Sequence, residues 1–347
     1  MTSIAALREA NLLDVEVTAI CDSDSDTLRA AAEFFDVPKK YAAYSELVNS
    51  NDVDVVYVCT PTNLHPEMVE AAVRARKPAL CEKPLAHTYA QASSLMTAAR
   101  SAGVPTGIDL VLRFDQFLLC AKNLIESREL GKPMLAHIRD DQRMPVGFLY
   151  YSQWRGDKAI AGGGTLIEHS IHDVDLLQWF LGPADTVFAK TSYFAGKEIE
   201  DQASVITTHR DGSVSTIDSV WHLVERPSER MIEFFFEKGY IGIKLGSDEH
   251  YLQYQLQGEK PVSVPEETAN RALLEKLGLA RANLSAEARE LITSVGTERY
   301  MALSYSFLDA IQRNLNPSPG FAEAVEAHRV VDAAYDSAKK QRLVKIR

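Results

Sequence analysis

The sequence predicts α/β plus α+β architecture. A parallel sheet is expected over residues 1–120, then a domain with a large, mostly antiparallel sheet over residues 121–347. Three observations carry this. Short apolar strands alternate with helical patterns through the first third of the chain, the mark of βαβ units. Later strands are separated by glycine turns, of which Asp211-Gly212 and Lys238-Gly239 are tight enough to require antiparallel neighbours. A glycine-led, mostly apolar helical stretch from Gly162 to Gly182 must then pack on that second sheet.

Residues 4–10 have helical spacing. Residues 15–20 read as a strand ending at Cys21-Asp22, and Ser23 and Asp24 suit the cap of a helix running to Phe35. Residues 53–60 form a buried strand closed by Pro61, and 65–76 a helix. A short strand at 78–81 leads into Glu82-Lys83-Pro84, followed by a helix at 88–102 and a strand at 104–108. In the second region strands are expected at 134–142, 186–194, 203–209, 214–221, 231–236, 240–245 and 251–255. Residues 265–297 are charged and weakly periodic, and no element is assigned to them. Helices at 300–313 and 321–338, parted by a break at 317–320, are expected to pack back on the first region.

Hydrophobic residues make up 46% of the 347 and charged residues 24%, so a full core is available. The net charge of -11 argues against nucleic acid or an anionic membrane as partner, because phosphate binding needs clustered Lys and Arg. No apolar run reaches the ~18 residues of a membrane span. Cys21, Cys59, Cys81 and Cys120 form no C-x-x-C pair and read as reduced core thiols of a cytosolic protein.

Ligands of parallel α/β sheets sit at the carboxyl ends of the strands. Three polar clusters lie there: Asp22, Thr60 to His65, and Glu82-Lys83. Asp22 either caps the turn at its strand end or accepts hydrogen bonds from a ribose and disfavours a 2′-phosphate, which favours NAD over NADP. The turn Thr60-Pro61-Thr62-Asn63-Leu64-His65 either touches the nicotinamide half of a dinucleotide or simply caps the next helix. Lys83 is either placed to hydrogen-bond a substrate hydroxyl or is a surface lysine before a proline-fixed turn. Within the glycine-led helix, Glu168, His172 and Asp175 fall at i, i+4 and i+7, one stripe of an ideal α-helix. A carboxylate and an imidazole there are costly unless paired or used, and the imidazole titrates where it can take a proton from a hydroxyl. His169 beside His172 raises a metal reading. An ideal helix turns the two about 60° apart, and no third ligand is evident, so no metal is expected. A G-x-G-x-x-G fingerprint belongs ~20 residues before the ribose acid. Counting back from Asp22 reaches Met1, and no such motif stands there.

Taken in order, Asp22, Thr60-Pro61, Glu82-Lys83-Pro84, Arg113-Phe114, Gly162 to Gly182 and the helix at 330–338 resemble the Gfo/Idh/MocA oxidoreductases, the family of glucose–fructose oxidoreductase and inositol dehydrogenase. The resemblance implies a Rossmann-like NAD(P)-binding domain, here lacking its first strand and Gly-rich turn. It therefore implies an N-terminally truncated member, by one of three routes: a longer gene with the fingerprint encoded upstream of Met1, which the persistence of Lys83, Glu168 and His172 favours, a damaged copy, or a binder that needs no dinucleotide. The second domain would bind substrate and make the subunit contacts of a homodimer or homotetramer in the cytoplasm. The implied reaction moves hydride between the hydroxyl carbon of a sugar or cyclitol and nicotinamide. By position, His172 matches the family's catalytic acid/base and Lys83 its active-site lysine, polarising the oxygen. Glu168 stands where the family most often has Asp and would fix a neighbouring hydroxyl. Cofactor contacts are expected from Asp22, Thr60, Pro61, Asn63, His65, Glu82 and Lys83. Substrate contacts are expected from Arg113, Trp154, Lys158 and Asp175, with Asp115, Arg139, Gln142, Arg155 and His222 as further candidates. The alternative is a non-catalytic sugar-sensing or scaffold relative that has lost dinucleotide binding.

Overall fold

A computed structural model describes residues 1–127, 130–146, 152–293 and 298–346. The first region runs α1 (Thr2–Glu9), β1 (Ala19–Cys21), α2 (Ser25–Phe34), β2 (Lys39–Tyr41), α3 (Tyr44–Asn49), β3 (Val56–Val58), α4 (His65–Arg74), β4 (Ala79–Cys81), α5 (Tyr89–Ala102) and β5 (Thr106–Ile108). Two of these helices, α2 and α5, start on a side-chain cap. Asp24 accepts from the Thr27 amide at 2.7 Å at the head of α2, and Thr88 from Gln91 at 3.3 Å at the head of α5. Gly103 closes α5 with φ +64, a conformation that costs glycine no steric penalty.

All strand pairs here are parallel, but they fall into two sheets, β1-β2 and β3-β4-β5. No ladder joins β1 to β3 among the described residues. The expected strands at 15–20 and 53–60 are cut to three residues each, β1 and β3.

The second region contains α6 (Gln116–Ser127), β6 (Pro133–Arg143), α7 (Lys158–Ala161), α8 (Ile171–Leu181), β7 (Ala184–Ser192), β8 (Gln202–His209), β9 (Val214–His222), β10 (Glu229–Phe236), β11 (Gly239–Gly246), β12 (His250–Leu256) and β13 (Val262–Ser263). It continues through α9 (Glu266–Lys276), α10 (Ala286–Thr293), α11 (Glu298–Gln312), α12 (Phe321–Lys340) and β14 (Val344–Lys345). Nine strands form one sheet in the order β13-β12-β11-β10-β6-β9-β8-β7-β14. The two tight glycine turns make antiparallel pairs, β8 with β9 and β10 with β11. β6 enters in the middle and pairs parallel with β9, the one parallel ladder of this sheet among the described residues.

Strand alternation builds the core. Ala136, Ile138, Val205, Ile217, Ile232, Phe234, Ile241 and Ile243 are buried on one face of the sheet and join Leu166, Ile171, Leu176 and Leu177 in a single apolar cluster. Helix α12 packs on both α5 and β7, and Phe321, Ala324 and Val325 share a core with Val58 and Cys81.

Three sequence expectations are corrected. The segment 265–297 holds two helices, α9 and α10, whose buried faces (Ala269, Ala272, Leu273 and Leu274; Ala288, Ile292 and Thr293) are short and mix alanine with few large apolar residues, a weak signal among charges; residues 294–297 lie outside the described residues. Cys59 is exposed, unlike the buried Cys81 and Cys120. The glycine-led stretch is not one helix. A π turn covers Thr165–His169, closed by Ser170 N–H donating to Thr165 O at 2.8 Å, and α8 begins only at Ile171.

Candidate active site

A cavity of about 730 Å³ opens between the two regions. Its floor is the carboxyl ends of parallel strands: Cys59 to Thr62 after β3, Glu82 and Lys83 after β4, and Asp109 after β5. The opposite side is built by the π turn and the nine-stranded sheet.

The three glycines before the π turn have a packing cause. Gly162 takes φ +88, and a Cβ there would meet the His87 ring at 2.6 Å. A Cβ on Gly164 would run into the backbone of Glu200. This close approach lets Glu200 satisfy the turn's free amides: its carboxylate accepts from Gly164 N–H at 2.8 Å and Leu166 N–H at 3.1 Å, while Tyr335 donates its hydroxyl at 2.7 Å. Burial raises the Glu200 carboxyl above its ordinary range.

The turn delivers Glu168, His169 and His172 to the cavity wall. Lys83 Nζ donates to the Glu168 carbonyl and lies 3.9 Å from its carboxylate. The Glu168 carboxylate also meets Arg155 Nε at 3.2 Å and receives Thr62 Oγ1–H at 3.3 Å. Glu168 is thus engaged by protein cations, a stronger commitment than the free hydroxyl contact expected of it. His172 is 8% exposed, and its Nδ1 has no hydrogen-bond partner among the described residues. Burial, then the charges of Lys83, Arg230, His169 and Arg299, push the His172 imidazole well below its ordinary range. It is a neutral base at pH 7.

Sequence reasoning missed the support behind the two histidines. Asp140 on β6 lies 3.0 Å from His169 Nε2 and accepts from Arg230 at 2.7 Å, and Arg230 Nε donates to Asp173 at 2.6 Å. Burial and the neighbouring Asp140 charge raise Asp173 to about 8, whereas Arg230 and His169 hold Asp140 low. A signal was present. On the inward positions of β6 the apolar residues Ala136 and Ile138 give way to Asp140 and Gln142, and β10 opens with Arg230 before Ile232 and Phe234. Register places Asp140 opposite both Ser219 and Arg230, so the polar residues meet in one row at the cavity end of the core. The ideal-helix angle that separated His169 from His172 fails because Ser170 breaks the helix between them.

The other expected residues divide. Thr60, Pro61, Glu82, Lys83, Gln142, Trp154 and Arg155 line the cavity, and the Arg155 guanidinium stacks 4.4 Å over Trp154. Asp22, Asn63 and Lys158 do not reach its wall. Asp22 turns its carboxylate to the Asp24 amide at 2.8 Å. His65 is buried and braces two turns, bonded at 2.8 Å to Thr60 O and to Pro84 O. Arg113 and Asp175, expected to hold substrate, hold each other in a bidentate pair at 2.8 and 2.7 Å away from the cavity wall. Asp115 caps α6 through Phe117 and Leu118, Arg139 pairs with Asp141 and Glu229, and His222 lies outside the wall.

The nicotinamide half of a dinucleotide fits this floor. Three parallel strands end there, and they present a buried carboxyl oxygen on Asp109 that no described donor reaches. A family model described as an oxidoreductase family with an NAD-binding Rossmann fold matches residues 2–109, and one for the GFO/IDH/MocA C-terminal domain matches 118–242. The chain is 35% identical over 189 residues to a 1,5-anhydro-D-fructose reductase from Ensifer adhaerens, covering 54% of this chain and 56% of that protein. It is 31% identical over 236 residues to a myo-inositol 2-dehydrogenase from Thermotoga maritima, covering 66% of this chain and 67% of that one. In fold it matches a levoglucosan dehydrogenase solved with NADH and levoglucosan, with a TM-score of 0.84 at 20% identity over 99% of this chain and 95% of that one. The chain therefore belongs to the GFO/IDH/MocA family of oxidoreductases with an NAD-binding Rossmann fold.

Proposed function

We propose that this chain is an NAD-dependent oxidoreductase acting on a CH–OH group of a sugar or cyclitol. The observation that carries the reading is the convergence of Lys83, Glu168 and His172 on one cavity, with His172 held neutral. His172 takes the hydroxyl proton, which its uncharged ring accepts and a protonated one would not. Lys83 donates to the same oxygen and stabilises the charge that develops on it. Glu168, braced by Arg155 and Thr62, keeps the Lys83 ammonium aimed into the cavity. Trp154 offers an apolar face to a sugar ring, and Gln142 an amide to its hydroxyls. NAD, when bound, supplies the hydride acceptor. Thr60, Pro61, Glu82 and Lys83 would hold its nicotinamide side, and Asp22 favours an unphosphorylated ribose.

The activities of the relatives, an anhydrofructose reductase and an inositol dehydrogenase, support a sugar or cyclitol substrate. Four free cysteines support a reducing, cytoplasmic setting. No helix of the described residues is long and apolar enough to cross a membrane.

A panel of polyols and lactones is offered with NAD or NADH, and NADH absorbance is followed. Turnover of at least one is expected, and His172→Ala should lower kcat/KM by about 10²–10⁴-fold. Full activity in that variant would refute the assigned role. Sugar binding without any turnover would instead favour a non-catalytic sugar sensor.

A further inference from the structure

Two carboxyl groups meet on the cavity floor beside Lys83. β4 and β5 are parallel, with Cys81 opposite Ile108, so the next residues on each strand, Glu82 and Asp109, stand side by side. Asp109 N–H donates to Cys81 O at 2.9 Å, which extends that register. Both side chains line the cavity. Asp109 is only 6% exposed, and no described donor reaches its Oδ1. What does face Asp109 is the carboxyl of Glu82, at hydrogen-bonding range.

Two carboxylates have no hydrogen to share unless one of them is protonated, and like charges this close do not both persist out of water. Burial and the Glu82 charge raise Asp109 well above its ordinary range. The other groups facing the pair are Lys83 from the same loop, Cys59 and Tyr57 from the β3 side, and Arg299 from α11. The two cations oppose that shift without reversing it. Meanwhile Glu82 Oε2 accepts from the backbone N–H of Lys83 at 3.3 Å. The pair therefore grips residue 83 from behind.

We propose that Glu82 and Asp109 share a single proton and act as a positioning pair for Lys83, with Asp109 working through Glu82. This rests on the assignment of Lys83 to the active site. A shared proton leaves one negative charge behind Lys83. A dianion would draw the ammonium back and away from the Glu168 carbonyl that aims it into the cavity.

Infrared difference spectroscopy of the full chain at neutral pH tests the proton directly. The spectrum of the unmodified chain minus that of Asp109→Asn should carry a protonated-carboxyl C=O band, separate from any band of the raised Asp173, which the substitution leaves in place. If substituting Asp109 removes no such band, the shared proton is refuted. Neither cofactor nor substrate is needed, so this result is independent of turnover. A band without any NAD-dependent turnover would sink the functional reading and spare the pair. Turnover without the band would do the reverse. The positioning role is read from kinetics: Asp109→Leu should lower kcat by roughly ten- to a hundredfold. Asp109→Asn, whose amide donates to Glu82 with no added proton, should recover most of that loss. Equal activity in both variants would overturn the positioning role. If Asp109→Leu fails to fold, by circular dichroism, the Asp109→Asn spectrum still decides the proton.

Discussion

His172 is surrounded by positive charge from Lys83, Arg230, His169 and Arg299 and is cut off from water. Both effects favour the neutral ring, so its folded pKa lies well below 6.5. A base works in its unprotonated form. Its contribution to kcat/KM is therefore complete above that depressed pKa and is lost only as pH falls through it. The expected profile stays flat as pH drops from 8 through 6.5, with the acid limb lying lower still. Lys83→Met removes the charge that acts most strongly on His172 and should move the limb upward, toward the ordinary histidine value, besides lowering the rate. An acid limb at or above 6.5 in the unmodified enzyme, or one that Lys83→Met leaves in place, would contradict this account. Lys83, Glu168 and His172 were legible in the sequence because charged residues inside apolar runs are conspicuous. Asp109, Asp140, Arg230 and Asp173 were not. Each looks like an ordinary strand or helix polar residue until register sets it beside a partner on another element.

At the scale of elements, the π turn at Thr165–His169 decides which side chains face the cavity. An unbroken α-helix would put Asp175 on the stripe of Glu168 and His172. The break at Ser170 changes the offset of Glu168 and His169 from His172, and Asp175, further along α8, pairs with Arg113. Periodicity reveals that a segment is helical, but it does not show where an extra residue is wound in, because that depends on contacts from elsewhere. Here the contacts are Glu200 on Gly164 and Leu166, and Ser219 receiving the Ser170 hydroxyl at 2.6 Å. Both Glu200 and Ser219 come from the strand region that follows in sequence. Gly164→Ala tests the arrangement, since its methyl would overlap the Glu200 backbone, which has no flexible end to move. Overpacking of this kind costs about 1–3 kcal/mol or more. Urea denaturation should show that loss, and kcat should fall with it because Glu168 and His172 are displaced. A variant of unchanged stability and rate would mean that the turn does not rely on this close approach.

The whole molecule carries a nine-stranded sheet that is covered on one face only. The buried face makes the core, while register lines up Phe188, Ile206, Thr216, His137 and Glu233 in one row across the other. Leu135 and Phe235 pair two positions along on the same side. Four large apolar residues stay open to solvent there: Ile206 at 48%, Phe188 at 41%, Phe235 at 39% and Leu135 at 38%. Apolar surface spread over neighbouring strands is what association removes from water. A flat sheet face meeting its own copy across a two-fold axis is self-complementary by construction. The proposal is that this face joins two subunits, as the family resemblance implied. A stable contact must bury more than about 1,000 Å² in total, which a face this wide can supply. Light scattering on the unmodified chain at micromolar concentration should report a dimer or tetramer. Ile206→Glu sets a carboxylate within the row, beside Phe188 and outside the cavity lining, and should yield folded monomers by circular dichroism. The same variant should keep the His172 pH profile if each subunit holds a complete site. A monomeric unmodified chain, or an oligomer that Ile206→Glu leaves intact, would place the subunit contact on another surface.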